Sequence, residues 1–326
     1  MPFVTGPVTV TPPTDSGSGT TTTPPVVVVP APGGLYVPEW IAPDGTVLAL
    51  NPPDGVWHTL DAVGGIGAAP VDFVTTANPD GGVNVEYVRP KESTIQWPLR
   101  FRDDNHLTLL GAFRQVTASI TMTRRRGPGL LRLTRPDGTA REILAYYSSG
   151  LEGDTGGDGL WLEASPVINF YCPRPFWRDV NPTVVYREQQ TSSSFLSPYM
   201  TVSSGAVFGA TTMVNAGVTD VWPQWQVRGP MSSLTATNTT RGESFTITHS
   251  LSAGQVLTIN SRPIQVRGPS GENLINSMNL PAGKPWRLDA ESTSDVTFTV
   301  TGAAPAGSGN LATGVTATFY TEYETA

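Results

Sequence analysis

Residues 130–147 read LLRLTRPDGTAREILAYY, two alternating runs on either side of an RPDG turn. Proline pre-sets one backbone angle of a turn and glycine accepts the left-handed one, so the two runs are expected to fold back on each other as a hairpin. Three related turns stand upstream, APDG at 42–45, PPDG at 52–55 and NPDGG at 78–82, and each is expected to reverse a strand. One segment breaks this pattern. Leu109, Phe113, Val116 and Ile120 recur with the spacing of a helix face, after Asp103 or Asp104 as N-cap. Gly111 weakens that helix by about 1 kcal/mol. The part from 35 to 180 is therefore expected to be a β-barrel or sandwich with one helix on its side.

Composition agrees with a mainly β protein. Of 326 residues only 14% are charged, while 34 are Gly and 30 are Pro, which favours turns and strands over helices. The length allows two domains, each with its own core. A formal net charge of -7 argues against a nucleic-acid binder, because phosphate affinity comes from clustered Lys and Arg. The one dense basic run, Arg124 to Arg126, reads more simply as a solvated turn or a subunit contact than as a phosphate site. Cys172 is the single cysteine, so no internal disulfide is available. The first residues lack a charged stretch followed by an apolar run, and no apolar stretch of about 18 residues occurs, so neither a secretory leader nor a membrane span is expected.

Residues 1–34 form a Pro-, Thr- and Gly-rich arm that cannot bury enough side chain to fold alone; its VVVV could add an edge strand to a partner. Residues 181–204, with EQQTSSS, read as a linker. From 205 to 326 strands recur, SFTITH at 244–249, QVLTIN at 255–260, VTFTV at 296–300 and VTATFY at 315–320, with turn-forming spacers. That is the pattern of an antiparallel β-sandwich or jelly roll. In VTDVWPQWQVRGP, residues 218–230, a period of two puts Trp225 with Val221 and Val227 on one face, and Trp222 with Gln224, Gln226 and Arg228 on the other. Trp225 is expected in the core and Trp222 at the surface.

Chemistry is scarce. His58, His106 and His249 fall in no metalloprotease motif, no serine has the nucleophile-elbow context, and Lys91 and Lys284, the only lysines, follow no phosphate-cradling loop. Asp154 and Asp158 sit in the glycine-rich run EGDTGGDG, which lacks the carboxylate spacing of a Ca²⁺ loop and reads as a hairpin tip. No carboxylate pair of glycosidase type can be identified. No catalytic residue, cofactor or metal site is expected. Trp222 and Trp286 are the candidates for a carbohydrate or interface contact, with packing under a loop or against another subunit the simpler account.

The order of motifs resembles that of the siphophage distal tail (Dit-like) proteins, often called minor tail proteins. In the first domain it is carried by VEYVRPKESTIQWPLRFRDDNHLTLLGAFRQV, GPGLLRLTRPDGTAREILAYYSSGLEGD and INFYCPRPFWRD, where Pro175, Phe176 and Trp177 stand at the family's proline and aromatic-pair positions. In the second it is carried by VFGATTMVNAGVTDVWPQWQVRGP, LTATNTTRGESFTI, LSAGQVLTIN and LPAG, which resemble the galectin-like domain of such proteins. Together the likeness spans nearly all of 35–326.

The resemblance implies a virion structural protein at the tail tip and no enzyme. It implies a first domain that forms a ring with copies of itself, a hexamer in the family's usual form, and a sandwich that points outward. The implied partners are the major tail tube protein, the tape-measure protein, the tail hub protein and adhesion or receptor-binding proteins. Genomic DNA would pass through the channel without specific binding, and no membrane contact is implied. The alternative is a carbohydrate-binding module of a receptor-binding tail protein. Galectin-like shape alone does not supply sugar-binding groups.

Overall fold

The computed structural model describes residues 36–53, 55–153, 163–189, 207–304 and 312–326. The N-terminal arm, most of the expected linker and the Asp154 to Asp158 loop lie outside them. Among the described residues, no helix is long and apolar enough to cross a membrane.

In the first domain the strands are β1 (Val37–Ile41), β2 (Val47–Ala49), β3 (Trp57–Thr59), β4 (Val71–Ala77), β5 (Val83–Pro90) and β6 (Ser93–Arg102). Helix α1 (His106–Thr121) and the single turn α2 (Thr123–Arg126) follow, then β7 (Gly129–Thr134), β8 (Ala140–Ser149), β9 (Glu163–Ala164), β10 (Val167–Cys172) and β11 (Trp177–Asp179). The main path of the sheet runs β2-β1-β7-β8-β10-β6-β3, all antiparallel.

The RPDG turn closes β7 onto β8 as the sequence predicts, pairing Thr134 with Ala140. Gly138 takes a φ of +83°, and the Asp137 carboxylate accepts from the Thr139 amide at 2.8 Å. APDG joins β1 to β2 and NPDGG joins β4 to β5. The segment around 52–55 makes no hairpin: it leads to β3, which pairs with β6 at the far end of the sheet.

Helix α1 begins two residues later than expected from Asp103. Asn105 is the N-cap, its side-chain oxygen accepting from the Leu107 amide at 2.9 Å, while Asp103 accepts from the Asn105 amide. Leu109, Ala112, Val116 and Ile120 are buried against the sheet, and Phe113 meets Phe101 edge-on at 5.4 Å. Arg124 to Arg126 form an exposed helical turn. The Arg124 guanidinium lies 4.9 Å from the Tyr147 ring centre.

The second domain contains β12 (Thr183–Glu188), β13 (Val207–Asn215), β14 (Gln224–Arg228), β15 (Met231–Asn238), β16 (Glu243–Leu251), β17 (Val256–Ser261), β18 (Ile264–Arg267), β19 (Ser292–Thr301) and β20 (Gly314–Phe319), and the last strand of the chain is β21 (Glu322–Tyr323). Sheets β12-β20-β14-β17-β18 and β13-β19-β15-β16 face each other as an antiparallel sandwich. Trp225 is fully buried at their centre, with edge-on contacts to Trp286 at 4.9 Å, Phe245 at 5.7 Å and Phe298 at 5.9 Å. Two features differ from the sequence reading of the boundaries. Residues 183–188, placed in the linker, form the edge strand β12, because alternating Thr183–Glu188 pairs along the whole of β20. The last residues return to the first domain, where β21 pairs with β11.

Candidate functional site

The loop after β10 carries Pro173 to Phe176, and the segment before β14 carries Val218 to Trp222. These two stretches and the strap from Tyr320 to Glu324 enclose an interdomain cleft of about 990 Å³. Pro175 is buried and Phe176 half-buried at its wall. Trp177 is buried in the first core, in register with Tyr323. Pro175 and Phe176 thus line the cleft, whereas Trp177 belongs to the first core.

Side-chain contacts tie the last residues to the first domain at the same place. Glu322 is buried and accepts from Arg174 at 2.7 Å and from the Thr219 hydroxyl at 2.8 Å. Arg178 donates to Glu142 and lies 4.4 Å from the Tyr320 ring centre. Arg141 lies 3.6 Å from the centre of the Tyr323 ring and donates to the Thr325 carbonyl at 2.6 Å, while Arg135 donates to the Ala326 carbonyl at 2.5 Å. Burial, then the Asp179 carboxylate that accepts from its hydroxyl, pushes the Tyr323 phenol up. Burial, then the neighbouring Arg135 charge, lowers the Arg141 guanidinium. Arg178 and Glu322 carried no sequence signal of their partners, which lie 36 and 148 positions away, whereas Arg132 and Glu142 face each other across the hairpin that the sequence predicts.

Trp222 is half-buried on the cleft rim with the Arg262 guanidinium 5.7 Å from its ring centre. It faces away from the core, opposite Trp225. Trp286 requires a correction as a surface candidate. It is only 1% exposed and packs against Trp225, because it sits in an irregular segment folded over the open end of the sandwich core.

A second feature was read from the sequence only through its turn and through VEYVRP in the family likeness. Strands β4 and β5 pair only with each other. Every residue of β5 is exposed, and Phe73, Val83, Val85, Tyr87 and Val88 are each about half accessible or more. Phe73 is paired with Val88 and Val74 with Tyr87, so apolar groups stand on both faces of the hairpin. An Asp72 to Arg89 ion pair at 2.8 Å bridges its base.

His58, His106 and His249 lie on β3, α1 and β16. Among the described residues no three His, Cys, Asp or Glu side chains group to hold a metal ion. Cys172 is buried and its thiol is pushed up to about 12 by burial, which leaves it a packing residue.

No family model matches the sequence, and neither does any curated protein. Solved structures do match. The Dit protein of phage SPP1, described as a paradigm of the hub adsorption apparatus in phages infecting Gram-positive bacteria, superposes with a TM-score of 0.60 at 11% identity, over 89% of this chain and 99% of that one. A chain of the phage p2 baseplate in its activated conformation, solved with Sr and with Ca, gives a TM-score of 0.52 at 9% identity, over 90% of this chain and 100% of that one. The fold is thus similar to that of the SPP1 Dit protein and of the p2 baseplate chain over about nine-tenths of the length.

Proposed function

We propose that this chain is a structural, non-enzymatic protein of a phage tail tip: a distal tail protein whose copies close into a ring, a hexamer by family resemblance. The ring would join the tail tube to the hub and to the adhesion apparatus, with the tape-measure protein and passing DNA along its axis. Supporting this reading is the likeness in fold, over both domains, to a hub protein and to a baseplate chain.

The observation that carries the assembly reading is the β4–β5 hairpin. A two-stranded hairpin with apolar groups on both faces is marginally stable in water. Large exposed apolar patches mark interaction sites. A second copy of the chain is the partner a ring supplies, and rotational symmetry closes the set of contacts. The net charge of -7 suits an axial channel that must not retain phosphates.

The test is the mass of the purified protein by light scattering, with negative-stain images of the same fractions. A closed ring of identical subunits is the expected result. A protein that stays monomeric at every concentration, alone and when mixed with the tail tube protein, would count against ring assembly.

A further inference from the structure

Sheet β12-β20-β14-β17-β18 turns one face into the core and the other to solvent. Period-two alternation sends Gln224 and Gln226 of β14 outward, between buried Trp225 and Val227. Thr258 and Asn260 of β17, and Thr316 and Thr318 of β20, share that outward face. Register sets them in two rows: Gln224 stands between Thr318 and Asn260, and Gln226 between Thr316 and Thr258. All six central groups are amides or hydroxyls, and the flanking strands extend the first row to Val184 and Gln265 and the second to Tyr186 and Arg267.

One end of this field is capped by an aromatic ring. Trp222 lies two residues before Gln224 on the same side, half-buried where the sheet meets the interdomain cleft. Arg262, two residues beyond Asn260, sets its guanidinium beside that ring. Gln224 Nε2 donates to Asn260 Oδ1 at 2.9 Å, which orients both amides and leaves the other polar atom of each to a ligand.

We infer that this face is a binding site for a neutral oligosaccharide, with Trp222 as the stacking platform. A sugar hydroxyl both donates and accepts, and Gln, Asn and Thr side chains can answer it in either sense. An indole face offers apolar area to the C–H face of a pyranose while keeping a polar edge. Nucleic acid would call for a cluster of cations, whereas the six central groups carry none and Arg267, Arg228 and Arg262 stand apart at the margins of the face. A protein partner would call for an apolar centre to the patch, whereas its centre here is amide and hydroxyl. With strands about 4.8 Å apart and residue pairs about 7 Å along each strand, three strands from Trp222 to Gln226 span roughly 10 by 14 Å. That suits a short oligosaccharide better than a single sugar. The inference goes beyond tail assembly and does not depend on it.

The test uses the full chain, titrated with cellotetraose, maltotetraose, chitotetraose and a galactan tetrasaccharide, read by calorimetry and tryptophan emission. At least one of these is expected to bind with a change in emission. Trp222→Ala and Gln224→Ala should each weaken it tenfold or more, with the melting temperature unchanged because neither side chain lies in the core. Absence of heat and of emission change with all four overturns the inference. Binding that survives in both variants overturns it too. Ring mass measured on the same samples keeps failure here separate from failure of the assembly reading.

Discussion

Arg178 donates to the same Glu142 oxygen from both Nε and Nη2, at 3.1 and 2.8 Å, while Arg132 takes the other oxygen at 3.1 Å. Glu142 is only 3% exposed, on the strand β8 that pairs with both β7 and β11. Replacing Glu142 with Gln removes the charge that two guanidinium groups share. Breaking a buried pair by deleting one partner costs about 3 kcal/mol or more, and the partial exposure of both arginines puts this case at the low end. Chemical denaturation of the first domain should show that loss. A change below about 0.5 kcal/mol would mean that solvent compensates both cations.

The strap from Thr321 to Ala326 is expected to set the angle between the domains. It carries β21, accepts from Arg174 through Glu322, and meets Arg141 through Tyr323. A chain ending at Tyr320 should keep both cores yet show a larger radius of gyration by small-angle scattering, with faster proteolysis at the cleft. An unchanged scattering profile would assign the angle to other contacts.

The hairpin gives a separable effect on assembly. Phe73→Ser, Val85→Ser and Tyr87→Ser together remove exposed apolar area and touch no core residue. The expected product is a folded protein with an unchanged melting temperature that no longer forms rings. Rings of normal mass would place the subunit interface elsewhere.

The two tryptophans of β14 and its approach should differ in energy. Trp225→Ala opens a cavity among Phe245, Trp286 and Phe298 and should cost about 3–5 kcal/mol. Trp222→Ala, at the rim, should stay within about 1 kcal/mol. Urea unfolding of the two variants measures the contrast directly.

Cys172 supplies an alkaline signature. Its folded thiol is raised to about 12 by burial, so above the ordinary thiol value of about 8.5 the unfolded chain has lost a proton that the folded one keeps. Fewer protons bound in the unfolded state means that stability falls as pH rises, by at most about 1.4 kcal/mol per unit from this group, until the folded thiol titrates. Cys172→Ala should show a shallower alkaline decline than the unaltered protein. Equal slopes would show that other groups set the alkaline limit.

Much of this was legible in the chain itself because it depends on short-range periods. Alternation put Trp225 inside and Trp222 at the surface, three of the four Pro-Asp-Gly turns closed hairpins, and the Leu109 to Ile120 stripe became the buried face of α1. The helix starts after Asn105, whose side chain caps the Leu107 amide, while Asp103 accepts from the Asn105 amide just outside the helix. Trp286 misled because its neighbours, Pro285 and Arg287, show no alternation from which a face could be read.

What the sequence by itself determined was local: strand period, turn positions and one helix. Tertiary structure decided which strands pair and what covers each face. Thr183–Glu188 became an edge strand only because β20 lay open beside it, and Glu322 found Arg174 across 148 positions of chain. The β4–β5 hairpin alternates as its neighbours do, and only the placement of the other strands left it exposed on both sides. Period-two patterning assigns a side chain to one face of its own strand, whereas burial of that face depends on elements far away in sequence.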